Sequence, residues 1–359
     1  MWLFSRNIDL TALYLPIYLC WLVLFNLPTD YLEANIPLWV WVIFVLCIDV
    51  GHVWSTIFRT YLDPEEFGQH RRLLLFAPLL SFVVVAGLAS ISTFLFWRLL
   101  AYLALFHFVK QQYGFLALYK MKARDFGVQK IFQDKWVLYW ATLYPVVYWH
   151  FGTDLNFSWF VRDDFINIRS FFALSSNFWT LLFSSFNIFY WLIILAWTIE
   201  EVFRSDKIST GKILWMLTTA MNWYTGIVYF NSDVVFTVSN VVAHGIPYLT
   251  LIIYYQYQKK TLKQNRLISV LQVAMVILLM VFFLAYLEEY CWDMLVYRER
   301  ESFFGAIVAY PFELLESPFA QAIAIAVLTV PQLTHYIIDG FIWKSNVKNP
   351  YVKQIFKVK

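Results

Sequence analysis

Ten apolar stretches, each near the length that crosses a bilayer, follow one another along this 359-residue chain, at roughly 10–27, 36–58, 73–90, 92–119, 136–150, 178–197, 212–231, 234–257, 266–288 and 317–343. Inside hydrocarbon a backbone must satisfy its own hydrogen bonds, so such stretches fold as helices. With 61% hydrophobic, 21% aromatic and 14% charged residues, too little polar surface remains to cover a soluble globule. The pattern predicts an all-α fold, a polytopic membrane helical bundle of about ten transmembrane helices forming one integral membrane domain over 1–359. The stretch from Thr11 to Leu27 has no small-residue cleavage site and leads into another apolar run, so it is expected to stay as the first helix. Cys20, Cys47 and Cys291 follow no disulfide or thiolate-metal spacing and read as packing residues.

Charge placement orients the helices. Of the 27 lysines and arginines, 21 fall on one side of a ten-span chain, with Arg98 and Lys110 inside the fourth span and only Arg162, Arg169, Arg298 and Arg300 on the other side. Cytoplasmic connections are the ones enriched in positive charge. Both termini are therefore expected in the cytoplasm, with the acidic loops at 151–177 and 289–316 outside, in a multi-pass protein of a bacterial inner membrane. A reporter fused after Lys359 should read cytoplasm and one near Asp163 the outside; a shared compartment for both would refute the span count. Nothing in the charge pattern is a nucleic-acid footprint.

Four of the six histidines lie inside apolar spans, each with a carboxylate or carboxamide one helical turn away: Asp49/His52, His107/Gln111, Asn240/His244 and His335/Asp339. Spacings of three or four put both members of a pair on one helix face. A neutral imidazole gives one ring nitrogen to a metal while an oxygen holds its other N–H, and polar groups in lipid face a bundle interior. Spans two, four, eight and ten all run inward, and the four histidines sit between the middle and the inner third of them. The set reads as four ligands, His52, His107, His244 and His335, oriented by Asp49, Gln111, Asn240 and Asp339. A donor set without thiolate suits non-haem iron, with zinc, copper or haem as alternatives.

Short motifs around these four histidines are similar to a known family. Val330-Pro331 leads to His335 and then to Asp339-Gly340-Phe341-Ile342-Trp343; Phe106-His107-Phe108 and Val50-Gly51-His52 precede it in the chain, and Asn240-Val241-Val242-Ala243-His244 stands where the family has two histidines four apart. This resembles the bacterial and archaeal carotenoid-cleaving dioxygenases of the Brp/Blh type. The resemblance implies a histidine-ligated iron and an isoprenoid substrate. Departures are Val53 for a glycine after His52, Gln332 where a histidine is usual and Asn240 for one of the paired histidines.

Three function classes fit these residues. One is an oxygenase, hydroxylase or desaturase-like enzyme that uses O₂ on a lipid or isoprenoid/carotenoid substrate drawn from the membrane lipids, with an external electron donor where the chemistry needs one. Another is a haem-binding electron-transfer protein. The third is a membrane acyltransferase using His244 with Asn222. Outside the set, His70 reads as a solvated loop residue and His150 as an interfacial one. Arg59, two turns beyond His52, reads as snorkelling to the interface. Asp63-Pro64-Glu65-Glu66 reads as the start of a helix, and Glu288, Glu289, Glu313 and Glu316 as solvated helix ends.

Overall fold

The computed structural model describes all residues except 29–36, 125–129, 153–158, 173, 205–207, 265–268, 312–314, 348 and 357–359. Lys207, Arg266, Lys348, Lys357 and Lys359, five of the 21 basic residues counted on the cytoplasmic side, and Glu313, read as a helix end, lie outside the described residues. No strand occurs among the described residues, and the fold is the all-α helical bundle expected. Among the described residues, each of the ten apolar stretches holds a helix. Eight are long and apolar enough to cross a membrane: α1 (Arg6–Leu24), α2 (Leu38–Arg59), α3 (Pro64–Ile91), α4 (Thr93–Ala123), α6 (Ser176–Arg204), α8 (Asp233–Gln264), α9 (Val270–Trp292, continued in π-helical form by Asp293–Tyr297) and α10 (Pro318–Ile342). The other two are α5 (Asp134–Phe151) and α7 (Thr210–Trp223, continued in π-helical form over Tyr224–Tyr229). The protein is an integral membrane protein by this measure.

The third and fourth spans, nearly continuous in sequence, are separated by Ser92 alone. Its backbone is extended (φ −162°, ψ 119°) and its hydroxyl accepts the Leu95 N–H at 3.2 Å, starting α4. Asp63 caps α3 as its sequence predicts, accepting from the N–H groups of Glu65 and Glu66, with Pro64 in the first turn, where a missing N–H costs nothing.

The chain forms two compact units. The first comprises 1–36, 101–247 and 356–359; the second comprises 37–100 and 248–355. In the first, Leu105, Phe108 and Val109 of α4 pack with Trp149 of α5, Trp223, Ile227 and Phe236. Gly226 makes that packing possible, since a Cβ there would lie 2.8 Å from Phe236 Cα. Burial also gathers charge. Asp134 lies 2.9 Å from Lys120 Nζ and 3.5 Å from Lys212 Nζ and accepts from Trp197 Nε1, while Lys212 lies 2.6 Å from Glu201, which also takes Lys130. Lysines that count toward the cytoplasmic side are thus partly inward, compensated by carboxylates rather than by water.

In the second unit α10 packs along α3, where Leu74 and Ala77 meet Ile338 and Ile342. Here two sequence readings are corrected. Arg59 does not snorkel: it is fully buried, paired with Glu66, donating to the Ile342 carbonyl at 3.0 Å and stacked 4.1 Å from the Tyr255 ring. His70 is not solvated: it is buried in α3, with Nε2 2.9 Å from Asn349 Oδ1. The reason is common to both, because Asn349, following α10, folds back to complete polar groups that look solvent-bound in a linear reading. Lys259 closes the network on Asp63 (2.8 Å) and Glu66 (3.0 Å). Glu288, read as a solvated end, is half-buried and accepts from Trp54 Nε1 at 2.6 Å.

Four prolines stand inside helices: Pro78, Pro145, Pro247 and Pro331. Each removes the N–H that would serve the carbonyl four residues earlier, and hydrocarbon offers no water in its place. For three of them another side chain takes over. Tyr61 donates to the Leu74 carbonyl at 2.7 Å, Tyr190 to that of Ala141 at 2.9 Å, and Gln112 to that of Ala243 at 3.4 Å.

Candidate metal centre

Each unit brings two of the four intramembrane histidines together. In the second unit His52 of α2 meets His335 of α10, with ring centroids 5.0 Å apart and planes at 80°. In the first, His107 of α4 meets His244 of α8, at 5.1 Å and 79°. All four rings are buried. The spacing tests ligation directly. With a metal about 2.0–2.1 Å from a ring nitrogen, the ion lies about 3.2 Å from that ring's centroid, so two imidazoles bound at right or tetrahedral angles have centroids about 4.5–5.2 Å apart. Both pairs fall in that range. Two axial ligands on opposite faces of one haem would sit about 6.4 Å apart with the macrocycle between them. Neither pair leaves room for that.

Around His335 the polar partners form a directed chain. Tyr248 donates to Asp339 Oδ1 at 2.5 Å, Thr56 Oγ1 lies 3.0 Å from the Tyr248 hydroxyl, and His335 Nδ1 lies 2.7 Å from the same Thr56 oxygen. A carboxylate only accepts, so Tyr248 must donate to it and accept from Thr56; the single Thr56 proton is then spent, and His335 Nδ1 must be the donor to Thr56. With Asp339 ionised, this is the arrangement that satisfies all three contacts. It fixes the Nδ1–H tautomer and makes Nε2 the lone-pair nitrogen. Asp339 Oδ2 stands 3.8 Å from that Nε2, beyond hydrogen-bond reach, so Asp339 acts on His335 through Tyr248 and Thr56.

Asp49 comes to 3.6 Å from His52 Nδ1, at the end of a π-helical segment, Trp41–Val50, that precedes His52. Such wide turns are frequent at functional sites. Tyr248 also packs edge-on to both rings, 5.8 Å from His52 and 5.1 Å from His335.

Gln111 serves its neighbour's backbone rather than its own histidine. Its Nε2 donates to the His244 carbonyl at 2.9 Å, beside the Ala243 carbonyl that Pro247 leaves to Gln112. Gln112 is itself held, accepting from Thr219 at 2.9 Å through Oε1. Phe108 lies edge-on to His244 at 4.5 Å. Gln111 Oε1 and Asn240 Oδ1, each one turn from a histidine of this pair, are buried acceptors that receive no donor among the described residues. A ligated group carrying a proton would complete them.

His150 stands apart from the four. It is buried rather than interfacial, bonded to the Tyr102 hydroxyl at 2.8 Å and to the Val146 carbonyl at 2.7 Å. Asn222, suggested as a partner of His244 in acyl transfer, accepts from Trp21 Nε1 at 3.2 Å. The residues that sequence spacing missed are Thr56 and Tyr248. Thr56 lies four after His52 and Tyr248 four after His244, so the one-turn rule applied to hydroxyls as well as to amides and acids points to both. No family model matches the chain, and no curated protein or solved structure is similar to it.

Proposed function

We propose that His52, His107, His244 and His335 together hold one non-haem iron ion within the bilayer, and that the protein is a membrane oxygenase that uses O₂ on a lipid or isoprenoid substrate. The observation that carries this reading is the pair geometry, two near-perpendicular imidazole pairs, each at the separation that cis ligation of a metal requires. Bound iron would supply O₂ activation, a chemistry that a histidine donor set with open positions supports. The chain's own residues do the rest. Thr56, Tyr248 and Asp339 hold His335 in the tautomer that presents Nε2. Gln111 and Gln112 fix the backbone turn that carries His244. Gln111 Oε1 and Asn240 Oδ1 offer acceptors for a proton near the pair. The burial of all four rings keeps water away, and an apolar substrate can arrive from the surrounding lipid. Cleavage that places both oxygen atoms in product needs no reductant, whereas hydroxylation or desaturation needs an external electron donor.

Elemental analysis and an absorption spectrum of detergent-purified protein test the proposal together. The expected result is stoichiometric iron with no Soret band, and O₂ uptake when isoprenoid or membrane lipid extract is added. A Soret band would make it a haem protein. Protein that binds no transition metal when supplied with iron, zinc or copper would end the metal-centre reading.

A further inference from the structure

A second site, independent of the metal-centre reading, lies in the first unit. The facing sides of α5 and α6 enclose a cavity of about 440 Å³, within the size that holds a small ligand. Its α5 wall is a stripe at helical spacing, Trp136, Tyr139, Trp140, Leu143 and on to Phe151, and its α6 wall begins at Trp179. Aromatic and aliphatic lining alone would describe any lipid-facing groove. Two further features specify an occupant.

The first is charge at one end. Lys135, exposed in the first turn of α5, holds its Nζ 5.1 Å from the Trp136 ring and 6.0 Å from the Tyr139 ring, both of which line the cavity. Lys110, an exposed lysine within a membrane span, lies 5.7 Å from the Tyr113 ring, and that ring packs 5.8 Å from Tyr139. Two cations thus flank one aromatic wall, and a lysine exposed on a membrane helix needs an anionic partner or an interfacial position. The second is length. From Trp136 to Phe151 the stripe rises about 22 Å, more than the roughly 15 Å hydrocarbon depth of one leaflet, so a whole acyl chain can lie along it.

We propose that this groove is a binding site for one anionic phospholipid, with its headgroup phosphate at Lys135 and Lys110 and an acyl chain along α5 toward Phe151. The site would be occupied from the leaflet that meets the first turn of α5.

Native mass spectrometry of the full-length protein in neutral detergent, titrated with phosphatidylglycerol or phosphatidylcholine, tests it. The wild type should retain one phosphatidylglycerol at lower concentration than phosphatidylcholine. Lys135→Ala should weaken phosphatidylglycerol binding about fivefold, the scale of one lysine's attraction to an anionic headgroup, and adding Lys110→Ala should remove the preference. Leu143 is 47% exposed, so Leu143→Trp fills the groove without disturbing a core and should abolish retention of both lipids while leaving the unfolding temperature unchanged. Equal binding of the two lipids by wild type would overturn the headgroup assignment, and undiminished retention by Leu143→Trp would overturn the groove. Inorganic phosphate that competes as well as the lipid does would show a headgroup site without a chain site and would likewise overturn the proposal.

Discussion

Alanine at His52, His107, His244 or His335 is expected to abolish bound metal, while Thr56→Val leaves metal bound about 10–100-fold more weakly. On the proposed reading, each of the first four changes deletes a metal–nitrogen bond. Thr56→Val keeps the side-chain shape but takes away the acceptor that holds His335 Nδ1, so the ring loses its fixed tautomer and orientation. Tyr248→Phe should act in the same direction as Thr56→Val, since it interrupts the same chain one link further out. Asp339→Asn should retain metal, because the amide oxygen still accepts the Tyr248 hydroxyl. Metal titration of each purified variant, scored against its unfolding temperature, separates these cases. Loss in Asp339→Asn as complete as in His335→Ala would make Asp339 a ligand, and wild-type affinity in Thr56→Val would remove the relay from the account.

The second large effect concerns stability. Arg59→Met should lower unfolding free energy by about 3–5 kcal/mol, the usual cost of stranding one member of a buried ion pair. Glu66, 2% exposed, would lose the guanidinium and keep Lys259 and the Tyr255 hydroxyl, which donates to it at 2.7 Å. The Ile342 carbonyl and the Tyr255 ring would lose their contacts with Arg59 as well. The double change Arg59→Met with Glu66→Leu should cost less than the sum of the two singles, because both charges leave together. Unfolding midpoints in detergent measure this directly. Additive losses, or a loss within about 0.5 kcal/mol for Arg59→Met, would place the pair among exposed ion pairs of little worth.

The helices themselves were readable because the signal for each is a long apolar run, a property of the segment alone. The candidate ligands were readable for a related reason, since a histidine in an apolar span stands out by its cost. Their partners were not. Spacing of three or four identifies neighbours on the same helix, and so it offered Asp339 to His335 and Gln111 to His107. In the fold Asp339 reaches His335 through a threonine of α2 and a tyrosine of α8, and Gln111 binds the carbonyl of His244. Arg59 and His70 were misread for the converse reason. Each stands among charges at a helix end, which in a linear reading means water, but Asn349, nearly three hundred positions away, supplies their company. The division into two units, with α4 and α8 contributing to both, leaves no mark in composition or hydropathy.

The prolines of α3, α5 and α8 bear on how displacement passes through the molecule. An unbroken helix behaves as a stiff rod, each turn tied to the next by its own hydrogen bonds. At Leu74, Ala141 and Ala243 one of those ties is replaced by a tether to a side chain outside the helix, Tyr61, Tyr190 and Gln112 respectively. A rod jointed in this way bends at the joint and follows whatever holds the tether. For α8 the tether is α4, so a shift of α4 that moves His107 also pulls the turn bearing His244, and the two rings travel as a couple.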